Sequence, residues 1–247
     1  MNKEELEETY RVYENTVTVC QFEEETVKRH GINIKNNLAG SKVLEVGCGI
    51  GTFSLFLSSF IDDLTVVDGS AGCLLHTQRR LEDNGVNTSK IKFIESLWEE
   101  YSSEERFSDI VFLRGAEHID DPAAVVNSLK KFLVPNGRFH ISVPNGRSFH
   151  RKVGAHLGML DLPESFTEGD YKVGHRHVFD YWSMRNLLVN KCNMEIKDSK
   201  GVMMKFLSNA QMNQLFLENP RLPEALHDVG QETPHLCAEI YFCASNK

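Results

Sequence analysis

The stretch Val43-Leu44-Glu45-Val46-Gly47-Cys48-Gly49-Ile50-Gly51-Thr52-Phe53 constrains this chain more than any other. A short apolar run enters three glycines at alternate positions, and helical periodicity follows. Glycine lets the backbone turn sharply and lets a ligand approach without a Cβ in the way. A strand that passes through such a loop into a helix opens a βαβ unit, which requires a parallel sheet. Asp68 closes the next apolar run, 17 residues beyond Gly51, where an acid can accept both hydroxyl protons of a ribose. A nicotinamide-dinucleotide loop, G-x-G-x-x-G, needs glycine at position 52. Thr52 stands there, and the third glycine falls one place earlier.

Alternation of short apolar runs with helical ones continues from Ser41. Strands are predicted at Val43–Gly47, Leu64–Asp68, Ile91–Glu95, Asp109–Leu113 and Arg138–Val143, with helices at Thr52–Phe60, Ala71–Asn84 and Pro122–Leu133. Strands apolar on both faces belong to a parallel sheet covered by helices on both sides. Before this core, Leu6, Tyr10, Tyr13, Val17 and Cys20 recur at helical spacing, which predicts an amphipathic helix over roughly 3–30. After Pro144 the alternation breaks. Residues 145–179, rich in Gly, His and Arg, are expected to form an insertion over the strand ends. A helix at Tyr181–Asn190 follows, then strands at Met194–Lys197 and Ala238–Cys243 around a second insertion with a helix near Ala210–Glu218.

Bulk properties narrow the classes. A formal charge of −8 and a pI near 5.7 argue against a broad nucleic-acid surface. The six cysteines form no CxxC pair and read as reduced thiols. The acidic start MNKEELEE is unlike a signal peptide, and no apolar run approaches the ~20 residues needed to cross a bilayer. The expectation is a cytoplasmic protein with no membrane or nucleic-acid partner, monomeric or homodimeric.

The loop Gly47-Cys48-Gly49-Ile50-Gly51 resembles motif I of class I S-adenosylmethionine-dependent methyltransferases, and the resemblance extends from about Ser41 to Val202. Arg114-Gly115-Ala116-Glu117-His118 resembles the E-H element of the small-molecule branch that includes ubiquinone-pathway enzymes. Leu133-Val134-Pro135-Asn136-Gly137-Arg138 resembles its L-x-P-G-G turn, with Asn136 in place of the first glycine. Gly174-His175-Arg176-His177-Val178-Phe179 resembles its G-H-x-x-x-(F/Y) element. The resemblance implies a single Rossmann-like domain over 1–247: a doubly wound, mostly parallel seven-stranded α/β sheet with an N-terminal helical segment and insertions after strands five and six. Residues 1–40 would be a helical cover, 41–144 the cofactor-binding core, 145–179 the acceptor-side insertion, and 180–247 the last strands with the second insertion. It further implies that Glu45, Gly47, Cys48, Gly49, Gly51, Asp68, Gly69, Ser96, Leu97 and Arg114 hold S-adenosyl-L-methionine, which leaves as S-adenosyl-L-homocysteine. Glu45 would support the loop from beneath, and Ser96-Leu97 would meet the adenine.

Methyl transfer needs an aligned acceptor lone pair, and a hydroxyl acceptor gains from a general base. His118, after the fourth strand, and His175 and His177, in the expected cover, are the candidates; packing or solvated-loop roles fit the same positions. Arg147, His150 and Arg151 follow the fifth strand, where they would neutralise an acidic group on the acceptor or simply begin a solvated basic helix. Tyr13 would join them from the N-terminal helix. No metal is expected, because His175 and His177 lack a cysteine or carboxylate partner at a recognised spacing. The reaction expected is methyl transfer to oxygen or nitrogen of a small polar metabolite, neutral or anionic, such as a sugar or natural-product intermediate. A protein- or RNA-directed methyltransferase and a non-catalytic cofactor-binding protein are the alternatives.

Overall fold

A computed structural model describes residue 7 and residues 20–247. Leu6, Tyr10, Tyr13 and Val17 lie outside the described residues. The first described helix, α1 (Gln21–Asn37), runs seven residues past the predicted end. One sheet follows from β1 (Lys42–Val46), β2 (Asp63–Asp68), β3 (Lys92–Glu95), β4 (Phe107–Leu113), β5 (Leu133–Pro144), β6 (Met194–Val202) and β7 (Glu239–Asn246). Its order is β3-β2-β1-β4-β5-β7-β6. β7 pairs antiparallel with both β5 and β6, and the other pairings are parallel.

Side chains on consecutive strand residues enter opposite layers. Val43, Val66, Val111 and Tyr241 pack on one side of the sheet; Leu44, Val67, Phe112 and Phe242 pack on the other. The first layer is closed by α1, α2 (Thr52–Leu57), α3 (Ala71–Asp83) and α8 (Asn209–Glu218), the second by α4 (Pro122–Leu129) and α7 (Tyr181–Asn186). Local chemistry sets the helix starts. Ser70 Oγ accepts from the Cys73 N–H, Asp121 accepts from the Ala124 N–H beside Pro122, and Asp180 and Ser183 form a capping box. A buried relay fixes the chain as it leaves α1: Asp109 accepts from the Ala39 and Gly40 N–H groups and bonds His140 Nε2 at 2.9 Å, while His140 Nδ1 meets the Tyr241 hydroxyl at 2.7 Å.

Several boundaries differ from expectation for local reasons. The helix from Thr52 stops at Leu57, where the Ser58 and Ser59 hydroxyls turn back to the carbonyls of Leu55 and Phe56. The helix from Tyr181 widens into a π turn at Leu187–Lys191. β5 begins at Leu133, because its pairing with β4 resumes across an irregularity at the Asn136 turn, where φ is 63°. Residues 145–179 contain α5 (Phe149–His156) and α6 (Glu168–Lys172). The second insertion holds an additional helix, α9 (Leu222–Glu232), whose Leu222, Ala225, Leu226 and Val229 spacing was the signal for it. No helix among the described residues is long and apolar enough to cross a membrane.

Candidate active site

The loops that follow β1, β2, β4 and β5 meet at the carboxyl edge of the parallel strands, where open α/β sheets bind ligands. Gly47, Gly49 and Gly51 all have positive φ, at 78°, 52° and 77°. Their surroundings differ. A Cβ on Gly51 would lie 2.9 Å from the Thr77 Cα of α3, and one on Gly47 would touch the Trp98 ring at 3.0 Å. A Cβ on Gly49 would meet nothing within 4 Å, so the backbone there faces open space.

Asp68 organises this loop. One carboxylate oxygen accepts from the N–H groups of Cys48 (2.9 Å) and Gly49 (3.4 Å), the other from Ser70 N–H (2.9 Å). Burial raises its pKa against those three bonds. Glu45, beneath the loop on β1, is buried, and burial with the nearby Asp68 charge pushes its pKa up to about 8. Its Oε2 lacks a partner among the described residues. Gly69 links Asp68 to the α3 cap and is buried. Ser96 donates its N–H to the Asp68 carbonyl, and half-buried Leu97 follows. Trp98, which carried no role in the sequence analysis, stands edge-on to Phe112 with its Nε1 buried and without a partner among the described residues. An aromatic directly after the third strand was the available signal.

Arg114 has φ of 51° and donates to Glu239 and Glu23, with its guanidinium 5.5 Å from the Phe53 ring centre. It thus ties α1 to β7. Burial by itself would raise the Glu239 pKa, yet Arg114 and His30 bring it down to about 2.

A cavity of about 140 Å³ opens beside the E-H element. Glu117, His150, Arg151, Asp170, His175, His177 and Lys205 are among its lining residues. The Glu117 carbonyl accepts from the N–H groups of Arg176 (2.7 Å) and His177 (3.1 Å), which joins the two histidine-bearing segments. His118 is buried, its ring 4.8 Å from that of His175. Burial, then the neighbouring His175, lowers the His118 pKa to about 4, and its Nδ1 has no partner among the described residues. Burial pushes Glu117 up to about 7, with Oε2 likewise unpartnered. His175 Nδ1 bonds Asp170 at 2.9 Å. Ligating atoms of Glu117, His118 and His175 lie within 4.8 Å of one another. His177 sits near the rim, 3.3 Å from the Asp120 carbonyl.

The basic residues divide. Arg147 does not line this cavity; it pairs with Glu164 at 3.1 Å and borders a separate hollow with Lys152, Asp180 and Trp182. The Arg151 guanidinium donates to the Pro163 and Ser165 carbonyls and to Asp170, so it pins the insertion to itself. His150 does line the cavity, and burial with the Lys205 and Arg151 charges takes its pKa down to about 3. Lys205 carried no sequence signal, since its neighbours come from distant segments, whereas Asp170 stood in a local Thr167-x-x-Asp170 capping pattern. Tyr13 lies outside the described residues.

A methyltransferase-domain family model matches residues 24–195, and the chain belongs to that family. The ubiquinone biosynthesis O-methyltransferase of Pseudomonas fluorescens (strain Pf0-1) is 32% identical over 115 residues, 46% of this chain and 49% of the relative. The chain thus aligns with about half the length of the curated relatives it matches. Among solved structures, magnesium protoporphyrin IX methyltransferase (ChlM) from Synechocystis PCC 6803 aligns with a TM-score of 0.60 at 14% identity, covering 100% of this chain and 95% of that one. The N-methyltransferase NodS from Bradyrhizobium japonicum WM9 aligns at 0.59 and 15% identity, covering 96% and 98%. Both were crystallised with S-adenosyl-L-homocysteine. The likeness establishes the Rossmann-like methyltransferase fold.

Proposed function

We propose that the chain transfers a methyl group from S-adenosyl-L-methionine to an oxygen of a small polar acceptor held beside Glu117, His118 and His175, releasing S-adenosyl-L-homocysteine. The observation that carries this is the meeting, at one sheet edge, of a three-glycine loop and a cavity lined by acid–base groups, of which Glu117 Oε2 and His150 Nδ1 lack partners among the described residues. The residues present fit the cofactor. Gly49 leaves open space over the loop, Asp68 holds that loop in shape, and its remaining lone pairs suit ribose hydroxyls. Glu45 supports the loop from below, with Gly47, Cys48, Gly51, Gly69, Ser96, Leu97 and Trp98 around it.

Bound S-adenosyl-L-methionine supplies a methyl group already activated on a sulfonium, so alignment and exclusion of water carry much of the rate. Residues 145–179 give that exclusion, rooted by the Gly146 N–H on the Phe179 carbonyl and by Arg151. His118 and His175 position the acceptor hydroxyl, and His177 at the rim lies where its proton would leave. An oxygen acceptor is favoured over nitrogen by this group of acid–base side chains and by the name of the curated relative. A cavity of about 140 Å³ suits a small molecule better than a polymer.

The test is incubation with methyl-labelled cofactor and an extract of the native host. Label in a small-molecule product is expected. Label confined to protein or RNA would mean a macromolecular acceptor, and cofactor binding with no transfer would mean a non-catalytic role.

A further inference from the structure

Two of the three side chains at the E-H element carry buried polar atoms that nothing in the described chain satisfies. Glu117 is 2% and His118 7% exposed, and Glu117 Oε2 and His118 Nδ1 have no hydrogen-bond partner. Buried polar atoms are nearly always paired, and an orphaned set that converges calls for a ligand. His175 converges on the same point. Its Nδ1 faces the Asp170 carboxylate at 2.9 Å, which fixes the tautomer that leaves Nε2 with a free lone pair. We infer that Glu117, His118 and His175 bind a divalent transition-metal cation.

The supporting shell is of the kind metal sites use. A ligating histidine characteristically donates its other ring N–H to a carboxylate. Asp170 is itself held by the Thr167 N–H and hydroxyl and by Arg151. The Glu117 carbonyl accepts two N–H groups from the segment that carries His175, so both halves of the site are braced before any ligand enters. The donor atoms lie within 4.8 Å of one another; tetrahedral ligands at about 2.1 Å from a shared ion stand about 3.4 Å apart. Side-chain movements of up to about 1 Å each close that difference. Two imidazoles and one carboxylate favour a zinc-, cobalt- or manganese-class ion over magnesium or calcium. Three protein ligands leave open positions toward the cavity, as in catalytic rather than structural sites.

The role of this ion rests on the proposed methyl transfer. An acceptor hydroxyl drawn to the cation loses its proton to water more readily. Its oxygen then forms the new bond to the methyl carbon as the sulfur–carbon bond breaks with its electron pair staying on sulfur. The metal undergoes no net redox change.

The test uses the full chain stripped with a chelator and titrated with Co²⁺, read by visible absorption and calorimetry. One Co²⁺ per chain, displaced by Zn²⁺, is expected. His118→Ala and His175→Ala should each weaken Co²⁺ by more than 100-fold, and Asp170→Asn by about 10–100-fold. S-adenosyl-L-methionine calorimetry on the same variants shows that they are folded. Absence of Co²⁺ binding, or binding unchanged in both histidine variants, overturns the site. Metal binding without methylation of any acceptor would sink the methyl-transfer reading and leave the site standing. Full activity in metal-free protein would overturn the metal's role.

Discussion

Gly49→Ala and Gly51→Ala should fail in opposite ways. Both residues have positive φ, at 52° and 77°, where an alanine costs about 1–2 kcal/mol. At Gly49 that is the whole structural cost, since the new methyl meets nothing within 4 Å. For a chain of this size the melting temperature should fall by roughly 2–8 °C. At Gly51 the methyl also comes within 2.9 Å of the Thr77 backbone, and forcing α3 outward adds about 1–3 kcal/mol. The combined cost of about 2–5 kcal/mol corresponds to roughly 4–20 °C. Cofactor affinity should follow the reverse order. The Gly49 methyl occupies the space assigned to the ligand, so S-adenosyl-L-methionine should bind more than tenfold less tightly. Gly51→Ala, where it folds, should bind within a few-fold of wild type. Scanning calorimetry gives the stabilities and isothermal titration the affinities. Wild-type affinity in Gly49→Ala would refute the placement of the cofactor over this loop.

Asp68→Ala should weaken the cofactor at least tenfold and also lower stability by about 1–3 kcal/mol, because three backbone N–H groups lose their acceptor; a variant that melts like wild type would contradict the loop-holding role. Glu45 has its folded pKa raised to about 8, so its contribution to stability is fully present below the unfolded value near 4.5 and is lost as pH rises through 8. Urea unfolding of Glu45→Gln should therefore show a smaller decline between pH 5 and about 8 than wild type does. Arg114→Gln should cost about 2–4 kcal/mol through the stranded Glu239 and Glu23 carboxylates, discounted for partial exposure, as measured by thermal melts. Arg151→Ala should loosen residues 157–167, seen as faster hydrogen exchange there. Unchanged exchange with a raised acceptor KM would restore the anion-binding role expected of Arg151 from sequence.

Much of the core was legible because its determinants are local. The strand, glycine loop and acid of residues 43–68 lie within one βαβ unit, and apolar runs of period near 2 and 3.6 mark the elements around them. Boundaries were less legible where short-range hydrogen bonds decide them, as at Ser58, Ser59 and the π turn at Leu187. Helix α9 was missed despite its apolar spacing.

At the site, residue types pointed to the neighbourhood and could not assign the roles. Arg151 and Arg147 looked alike as basic residues after β5. The fold gives one three partners within the insertion and places the other against Glu164, outside the cavity. Arg114 follows β4 as a cofactor residue would, yet Glu23 and Glu239, 91 and 125 residues away, take up its charge. Glu117 and His118 showed no recognised metal spacing along the chain, because His175 lies in a different segment and is brought to them by the fold, through the Arg176 and His177 N–H bonds to the Glu117 carbonyl and the contact of the His118 and His175 rings. The sequence alone determined the αβ alternation, the glycine loop and the edge of the sheet where ligands gather, since these follow from periodicity and backbone freedom over a few residues. Which side chains share a charge, which remain unpaired, and which converge across the cavity was decided only by tertiary structure, because such pairings depend on through-space distances that no local pattern encodes.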